Sequence, residues 1–392
     1  MVRIVDLVGG NPYHSHGGGE MVIYNTNKWL LKKGFEIITV CFADKDFVIE
    51  KTEMGKIIGI KVPRNELLRI ITYSIKGSRL VKRLNPDILI GEGGGNMGAG
   101  ILAALTRRKG TVYIARSHGT HMQLILSMTR KNLHMRILGR LMAEIIERYS
   151  YTLADYIIAV SRSTKKELIK HYRIRREKIR VIHNGVDTEK YRPLAKGKRA
   201  ALRRRLGFRD GATQILYIGL DPFRKGLDVA VRAVDLLGEN AVLNVIGTTK
   251  EEGRRFVRDE GIDEGVLDRI NFVGRVDDDE KIRYYQASDL FLFPSRYESI
   301  ALVALEALSC GLPAVISGRV PAYELAGPGE GLFVVPGFDP KDYADKICGI
   351  ISKVHKTDAL SARARKSMLK YDWRLVSERY YRAISEVIRR GD

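Results

Sequence analysis

A two-domain α/β protein, each domain doubly wound about a parallel sheet, is the fold class this sequence predicts, and three observations predict it. Apolar runs of strand length alternate with amphipathic segments of helix length along the chain, as strand–helix–strand crossovers require. The alternation comes in two series, separated by the turn-forming Asn184-Gly185 and a polar, basic stretch from Glu189 to Arg205. With 392 residues, 45% of them hydrophobic, the chain can bury a core in each half.

The first series places strands at Val2–Val8, Phe35–Phe42, Ile57–Val62, Asp87–Gly91, Thr111–Arg116, Tyr156–Val160 and Ile179–Ile182. Gly17, Gly18 and Gly19 follow the first strand and precede a helical pattern. Their backbone can approach a ligand at the carboxyl end of a strand, where open α/β sheets bind. The GGGE string lacks the G-x-G-x-x-G spacing of a dinucleotide site. A second group, Gly93–Gly95, follows the fourth strand and could line the same crevice. His118 comes directly after Thr111–Arg116, placed to donate to a sugar hydroxyl or to stabilise developing charge, with His14, His16 and His121 as neighbours. Residues 122–149 mix Leu, Ile and Met with Arg130, Lys131, Arg136 and Arg140, and read either as a helix packed on its own domain or as one lying at a membrane surface.

The second series places strands at Gln214–Gly219, Val242–Gly247, Ile270–Val273, Leu290–Phe293, Pro313–Ile316 and Leu332–Val335. A helix is expected from about Lys225, so Arg224 and Lys225 stand where phosphates would lie. Asp277–Asp279, just ahead of Glu280 and a helical pattern, reads as a helix N-terminus rather than a metal site. Pro294 and Ser295 break the strand Leu290–Phe293, and Ala301–Ser309 reads as a helix ending before Gly311. Glu298 is then in the loop and Glu306 on the helix. Among Leu302, Val303, Leu305, Ala307 and Leu308, the Glu306 carboxylate demands a polar partner such as a hydroxyl pair. A last amphipathic stretch runs from Trp373 to Arg390.

The net charge of +21 is lopsided: residues 1–209 carry 41 Lys and Arg against 17 Asp and Glu, residues 210–392 carry 26 against 29. The first half would draw anionic lipid, phosphate or nucleic acid. Nucleic acid is the weaker candidate, because the sequence offers no aromatic stacking platform, recognition motif or basic arm. Cys41, Cys310 and Cys348 are isolated in apolar surroundings and are expected to be buried thiols. No run of about 18 apolar residues and no signal-peptide pattern is found, so a cytoplasmic location is expected.

The string from Pro294 to Pro313 resembles the retaining glycosyltransferases of family 4, also called glycosyl transferases group 1, whose signature is P-S-x-x-E, seven residues, E-A-x-x-x-G-x-P. Pro294, Ser295, Glu298, Glu306, Ala307, Gly311 and Pro313 occupy its fixed positions. HNGVD (His183–Asp187) is similar to the family's interdomain P-N-G-V-D, the GGGE loop to its G-G-x-E element, SHGT to its histidine loop, and FVGRV (Phe272–Val276) to its F-x-G-x-V element. Its G-R-x-x-x-x-K-G element is met by Gly219, Lys225 and Gly226, but Leu220 replaces the arginine.

The resemblance implies the GT-B fold, two Rossmann-like domains facing across a cleft: residues 1–188 on the acceptor side, 189–372 binding the nucleotide sugar, and 373–392 a helix returning to the first domain. It implies that Glu306 bonds the donor ribose and Glu298 the hydroxyls of the transferred sugar. Lys225 would meet the diphosphate together with the amides of Ser299, Ile300 and Ala301, which open a helix. Arg224 either substitutes for the missing arginine or points to solvent. Arg275 and Val276 would contact the base, Gly18 and Gly19 the donor, and His118 would act in transfer. The implied reaction is retaining, metal-independent and cofactor-free transfer from a UDP- or GDP-sugar to an acceptor hydroxyl. The acceptor is expected to be lipid-linked or a glycan precursor, with peripheral contact at an anionic membrane. A sugar phosphorylase or nucleotide-sugar epimerase on the same fold is the alternative enzyme.

Overall fold

The computed structural model describes residues 1–13, 18–93, 97–120, 145–195, 197–352 and 357–391. It divides into two compact units, Met1–Asn184 with Trp373–Asp392, and Gly185–Asp372.

Unit 1 is built on an eight-stranded sheet in the order β3-β4-β2-β1-β5-β6-β7-β8. The strands are β1 (Arg3–Leu7), β2 (Glu36–Ala43), β3 (Phe47–Thr52), β4 (Gly55–Lys61), β5 (Ile88–Glu92), β6 (Val112–Ser117), β7 (Tyr156–Ala159) and β8 (Ile179–Val181). Seven of these lie within two residues of the expected strands. The eighth, β3, corrects the reading of the sheet as wholly parallel, since it pairs antiparallel with β4. It reads FVIEKT, half-exposed at the sheet edge, and so lacks the continuous apolar run that marks a buried parallel strand. The helices of unit 1 include α1 (Gly18–Lys32), α2 (Glu66–Leu84), α3 (Met97–Thr106) and α4 (Arg162–Tyr172).

One face of this sheet is an apolar core, in which Val5, Leu7, Val40, Leu89, Tyr113 and Ala115 meet Tyr73 of α2, Ala103 of α3 and Leu168 of α4. Because side chains alternate along a strand, the intervening residues point to the other face. There, at the carboxyl ends, stand Asp6, Thr39, Glu92 and Arg116, all buried. The strand order reverses at β1, which lies between β2 and β5, so the loops after β1 and β5 border a topological switch point.

Unit 2 has a six-stranded, wholly parallel sheet in the order β11-β10-β9-β12-β13-β14. Its strands are β9 (Thr213–Ile218), β10 (Ala241–Ile246), β11 (Ile270–Gly274), β12 (Leu290–Phe293), β13 (Ala314–Ser317) and β14 (Leu332–Val335). The order reverses at β9 and β12, and the loops that follow these two strands carry the residues singled out in the sequence. The helices are α5 (Arg199–Arg205), α6 (Leu227–Leu237), α7 (Lys250–Asp259), α8 (Asp278–Ala287), α9 (Leu302–Ser309), α10 (Pro340–Ile351) and α11 (Thr357–Leu369).

The basic stretch 189–205 is not wholly a linker, since it forms α5, whose Arg199 and Arg203 hold Asp289 at 2.8 and 2.5 Å. The final helix, α12 (Trp373–Gly391), belongs to unit 1. Its Glu378 pairs with Lys33 at 2.8 Å and its Tyr381 ring meets Phe35 edge-on. Cys41 and Cys310 are buried, but Cys348 is exposed, which corrects the expectation for that thiol. On α10 the buried positions are Tyr343, Ala344 and Ile347, and the helical period turns residue 348 outward. Among the described residues no helix is long and apolar enough to cross a membrane.

Candidate active site

In unit 2 the loops after β9 and β12 are stapled together. The Arg296 guanidinium forks onto both oxygens of Asp228 at 2.8 and 2.7 Å and lies 4.1 Å from the Phe223 ring centroid. The Arg296 amide donates to the Arg224 carbonyl at 2.8 Å. Close approach depends on two glycines. Gly226 has φ +77°, and a Cβ there would collide with the Pro294 carbonyl; a Cβ at Gly219 would come within 2.9 Å of the Lys225 stem. The product is a cluster around Glu298. Its Oε1 is ion-paired with Lys225 Nζ, lies 3.4 Å from Arg224 Nη1, and accepts from Ser295 Oγ at 2.9 Å.

Side-chain exposures of 11% for Glu298, 17% for Lys225 and 19% for Arg224 leave all three reachable but poorly screened. Arg224 therefore does not point away into solvent. Leu220, in the family's arginine position, is exposed. The expected helix from Lys225 starts two residues later, at Leu227, because Gly226 is its left-handed N-cap. Ser299, Ile300 and Ala301 immediately precede α9 rather than forming its first turn. Ala301 is its N-cap at φ +61°, a conformation that costs a non-glycine residue about 1 kcal/mol or more and that concentrates at functional sites.

Glu306 sits one and a half turns into α9 and faces α8. Its Oε2 accepts from the Tyr285 hydroxyl at 2.9 Å and lies 3.1 Å from Lys281 Nζ. Burial opposes the Lys281 charge, but Glu306 and Asp278 outweigh it and hold the ammonium above its ordinary range. Part of the polar satisfaction that the apolar flanks of Glu306 demand thus comes from within the protein. Arg275 is exposed and Val276 half-buried at the end of β11. Asp277 caps α8 by accepting from the Glu280 amide at 2.8 Å, while Asp278 is engaged by Lys190 at 2.7 Å and Lys281 at 3.0 Å.

In unit 1 Gly18 and Gly19 are the first two residues of α1, not a loop ahead of it. His118 follows β6, and its Nε2 lies 2.5 Å from Glu92 Oε2 at the end of β5. The other Glu92 oxygen is 3.1 Å from Arg116 Nε, and Arg116 Nη2 is 3.7 Å from Asp6 Oδ2. Asn27 of α1 donates to Asp6 at 3.0 Å, and Tyr380 of α12 lies under the Arg116 guanidinium at 5.2 Å.

Burial and then Arg116 push the His118 imidazole down to about 3. Burial and then Glu92 push Asp6 well above the usual carboxylate range. Burial also raises Glu92, with Arg116 working against it. Asp6, Glu92 and Arg116 were not among the residues expected at a site. The signal was available: each is a charged residue inside or ending a run that a central parallel strand must bury. His14, His16, Gly17, Gly94, Gly95, His121, Arg130, Lys131, Arg136 and Arg140 lie outside the described residues.

Two family descriptions match the chain: glycosyl transferases group 1 over residues 198–367, and glycosyltransferase family 4 over residues 16–190. A D-inositol 3-phosphate glycosyltransferase of Catenulispora acidiphila is 30% identical over 235 residues, which are 56% of this chain and 53% of that protein. The chain thus spans about half the length of the curated relatives it matches. In three dimensions it is similar to a sucrose-phosphate synthase from Thermosynechococcus elongatus, with a TM-score of 0.84 at 18% identity over 99% of both chains. It is also similar to Anabaena Alr3699/HepE in complex with UDP-glucose, with a TM-score of 0.77 at 17% identity over 98% of this chain and 100% of that one.

Proposed function

The chain belongs to the glycosyl transferases group 1, with the GT-B fold, and from that premise we propose that it transfers a sugar from a nucleotide-sugar donor to an acceptor hydroxyl with retention and without a metal. The observation that carries this reading is the convergence of Lys225, Arg224 and Glu298 at the entry to α9, two cations and one carboxylate within reach of a helix N-terminus. A diphosphate is the ligand such an arrangement suits. Its oxygens compete with Glu298 for the two cations, and Glu298, released, accepts from hydroxyls of the sugar to be transferred. Glu306, oriented by Tyr285 and Lys281, accepts from the ribose, and Arg275 and Val276 border the base.

With no carboxylate assigned as a covalent nucleophile, the acceptor oxygen attacks from the face the diphosphate leaves. The new glycosidic C–O bond forms as the anomeric C–O bond to phosphate breaks, and the acceptor proton passes to the diphosphate. His118 bonds a hydroxyl near the reacting carbon. The Anabaena neighbour's complex with UDP-glucose makes uridine the first base to try.

The acceptor is anionic or membrane-bound and is taken by unit 1, whose half of the sequence carries the positive excess. On α2, Leu68, Ile71 and Ile75 are exposed at helical spacing beside the exposed Arg79, Lys82 and Arg83. Each basic residue near an anionic surface is worth about 1 kcal/mol.

A thermal-shift screen of UDP- and GDP-sugars tests the donor, since a ligand of the folded state raises its melting temperature. At least one should do so, and its product should keep the donor's anomeric configuration. No shift with any of them, or free sugar phosphate as the product in inorganic phosphate, overturns the reading. Co-sedimentation with anionic and neutral vesicles at low and high salt tests the acceptor side, and failure to bind either directs the search to a soluble acceptor.

A further inference from the structure

Resting on the reading of His118 as a residue that meets the sugar, we propose that Glu92 is its positioning residue: the Glu92 carboxylate accepts the Nε2 proton and fixes the imidazole in the tautomer whose Nδ1 lone pair accepts from a bound hydroxyl. The geometry comes from the sheet. Glu92 and Arg116 are register partners on β5 and β6, so their side chains rise on the same face, and His118 two residues on brings its ring to the same carboxylate. Glu92 is held from both sides, by Arg116 Nε at 3.1 Å on one oxygen and His118 Nε2 at 2.5 Å on the other, with its side chain 2% exposed. A buried carboxylate ion-paired through one oxygen and meeting the ring through the other sets which ring nitrogen carries the proton.

The charge count agrees. Three ionisable groups besides the histidine are buried here, two acids and one base, and the closer acid takes the cation: Glu92 at 3.1 Å against Asp6 at 3.7 Å. Asp6, in contact with Asn27 at 3.0 Å, is the acid whose protonated form burial and then the neighbouring Glu92 favour. Among the described residues Glu20 on α1, Tyr380 on α12, Tyr73 on α2 and Tyr113 on β6 also interact with members of the cluster. His118 therefore works as a neutral acceptor throughout the physiological range rather than as an imidazolium acid.

Imidazole ¹⁵N resonances identify the tautomer without any substrate, so this measurement can fail or succeed independently of the transferase reading. The chain holds eight histidines, and His118→Ala identifies the signal. The expected result is an Nε2–H tautomer that does not titrate between about pH 5 and 8, whereas the unperturbed side chain titrates near 6.5. An Nδ1–H tautomer, or an imidazolium forming near that value, overturns the proposal.

Kinetics test the role. Replacing the pair together, Glu92→Leu with Arg116→Met, removes the carboxylate without stranding a buried charge. It should lower kcat about tenfold at unchanged donor KM, and should add nothing in the His118→Ala background. An equal loss in that background assigns Glu92 a merely structural part. Should the pair variant not fold, Glu92→Gln carries the same cycle. Normal turnover in His118→Ala sinks the reading of His118 itself.

Discussion

The buried charges around His118 in unit 1 stand on strands, whereas the cluster around Glu298 in unit 2 stands on loops, and the difference teaches how each half can be used. Asp6, Glu92 and Arg116 are fixed by the register of β1, β5 and β6 and are at most 2% exposed. So deeply buried, they suit the holding of a neighbour better than the exchange of partners. Lys225, Arg224 and Glu298 meet across two loops, ten to twenty percent exposed, in ion pairs that a diphosphate and a sugar can replace. Charge that must be rigid is carried by the sheet. Charge that must change partners is carried where backbone can adjust and where helix amides add to it.

The largest effect should come from breaking the rigid half. Arg116→Ala leaves Glu92 and Asp6 buried without their cation and should cost about 3–5 kcal/mol. Both tryptophans, Trp29 and Trp373, belong to unit 1, so tryptophan fluorescence during urea unfolding reports this loss directly. A stability within about 1 kcal/mol of the parent protein would show that the cluster is not the closed, mutually compensated unit described.

The exchangeable half should instead lose chemistry while keeping its fold. Glu298→Ala is expected to lower kcat by about 10²–10³-fold with little change in donor affinity. Glu306→Ala should weaken donor binding about tenfold with a smaller change in kcat. Titration of both variants with donor, alongside turnover, separates the two, and identical profiles would erase the distinction between reacting-sugar and handle contacts. His118→Ala lies between the halves in kind, a residue held by Glu92 and proposed to meet the sugar. It should lose transfer about a hundredfold with its circular dichroism unchanged.

A smaller effect comes from the opposed titrations of His118 and Asp6. Folded His118 stays neutral to about pH 3 while the unfolded side chain protonates near 6.5, so its contribution to stability is present above 6.5 and is lost as pH falls. Asp6 is raised, so its contribution is present below its unfolded value of 3.8 and is lost as pH rises from there through its higher folded value. Between these values the two slopes oppose each other. Asp6→Asn removes one of them, and unfolding free energy should then fall with acid below pH 6.5 by up to about 1.4 kcal/mol per unit, more steeply than in the parent. Parallel curves would mean that Asp6 carries no such proton. The smallest effect expected is none: on the proposal that Lys225, Arg224 and backbone amides meet the diphosphate, activity should survive a chelator, and loss of activity restored by magnesium would remove that assignment.

Much of this was legible in the sequence alone, for reasons that differ by residue. Thirteen strands could be placed because a parallel strand covered on both faces must be apolar throughout, whereas β3, with Glu50 and Lys51 at the sheet edge, writes no such run. Leu290–Phe293 followed by Pro294, and Gly311 after Ser309, bracket a strand, a loop and a helix by local chemistry alone, which put Glu298 on the loop and Glu306 on the helix. The match of Lys225 and Gly226 to a family pattern similarly needs only neighbours in the chain.

Contacts between distant segments were a different matter. That Arg224 turns toward Glu298, that Tyr285 and Lys281 satisfy Glu306, and that Cys348 faces out depend on which helix lies beside which. Asp6, Glu92 and Arg116 are separated by 86 and 24 residues of chain and become one cluster only when β5 is laid between β1 and β6. Periodicity and turn chemistry act over a few residues, so the sequence by itself determined the elements and the residues at their ends. Strand order and register act over the whole unit, and only they decided which buried charges lie together and which histidine nitrogen meets Glu92.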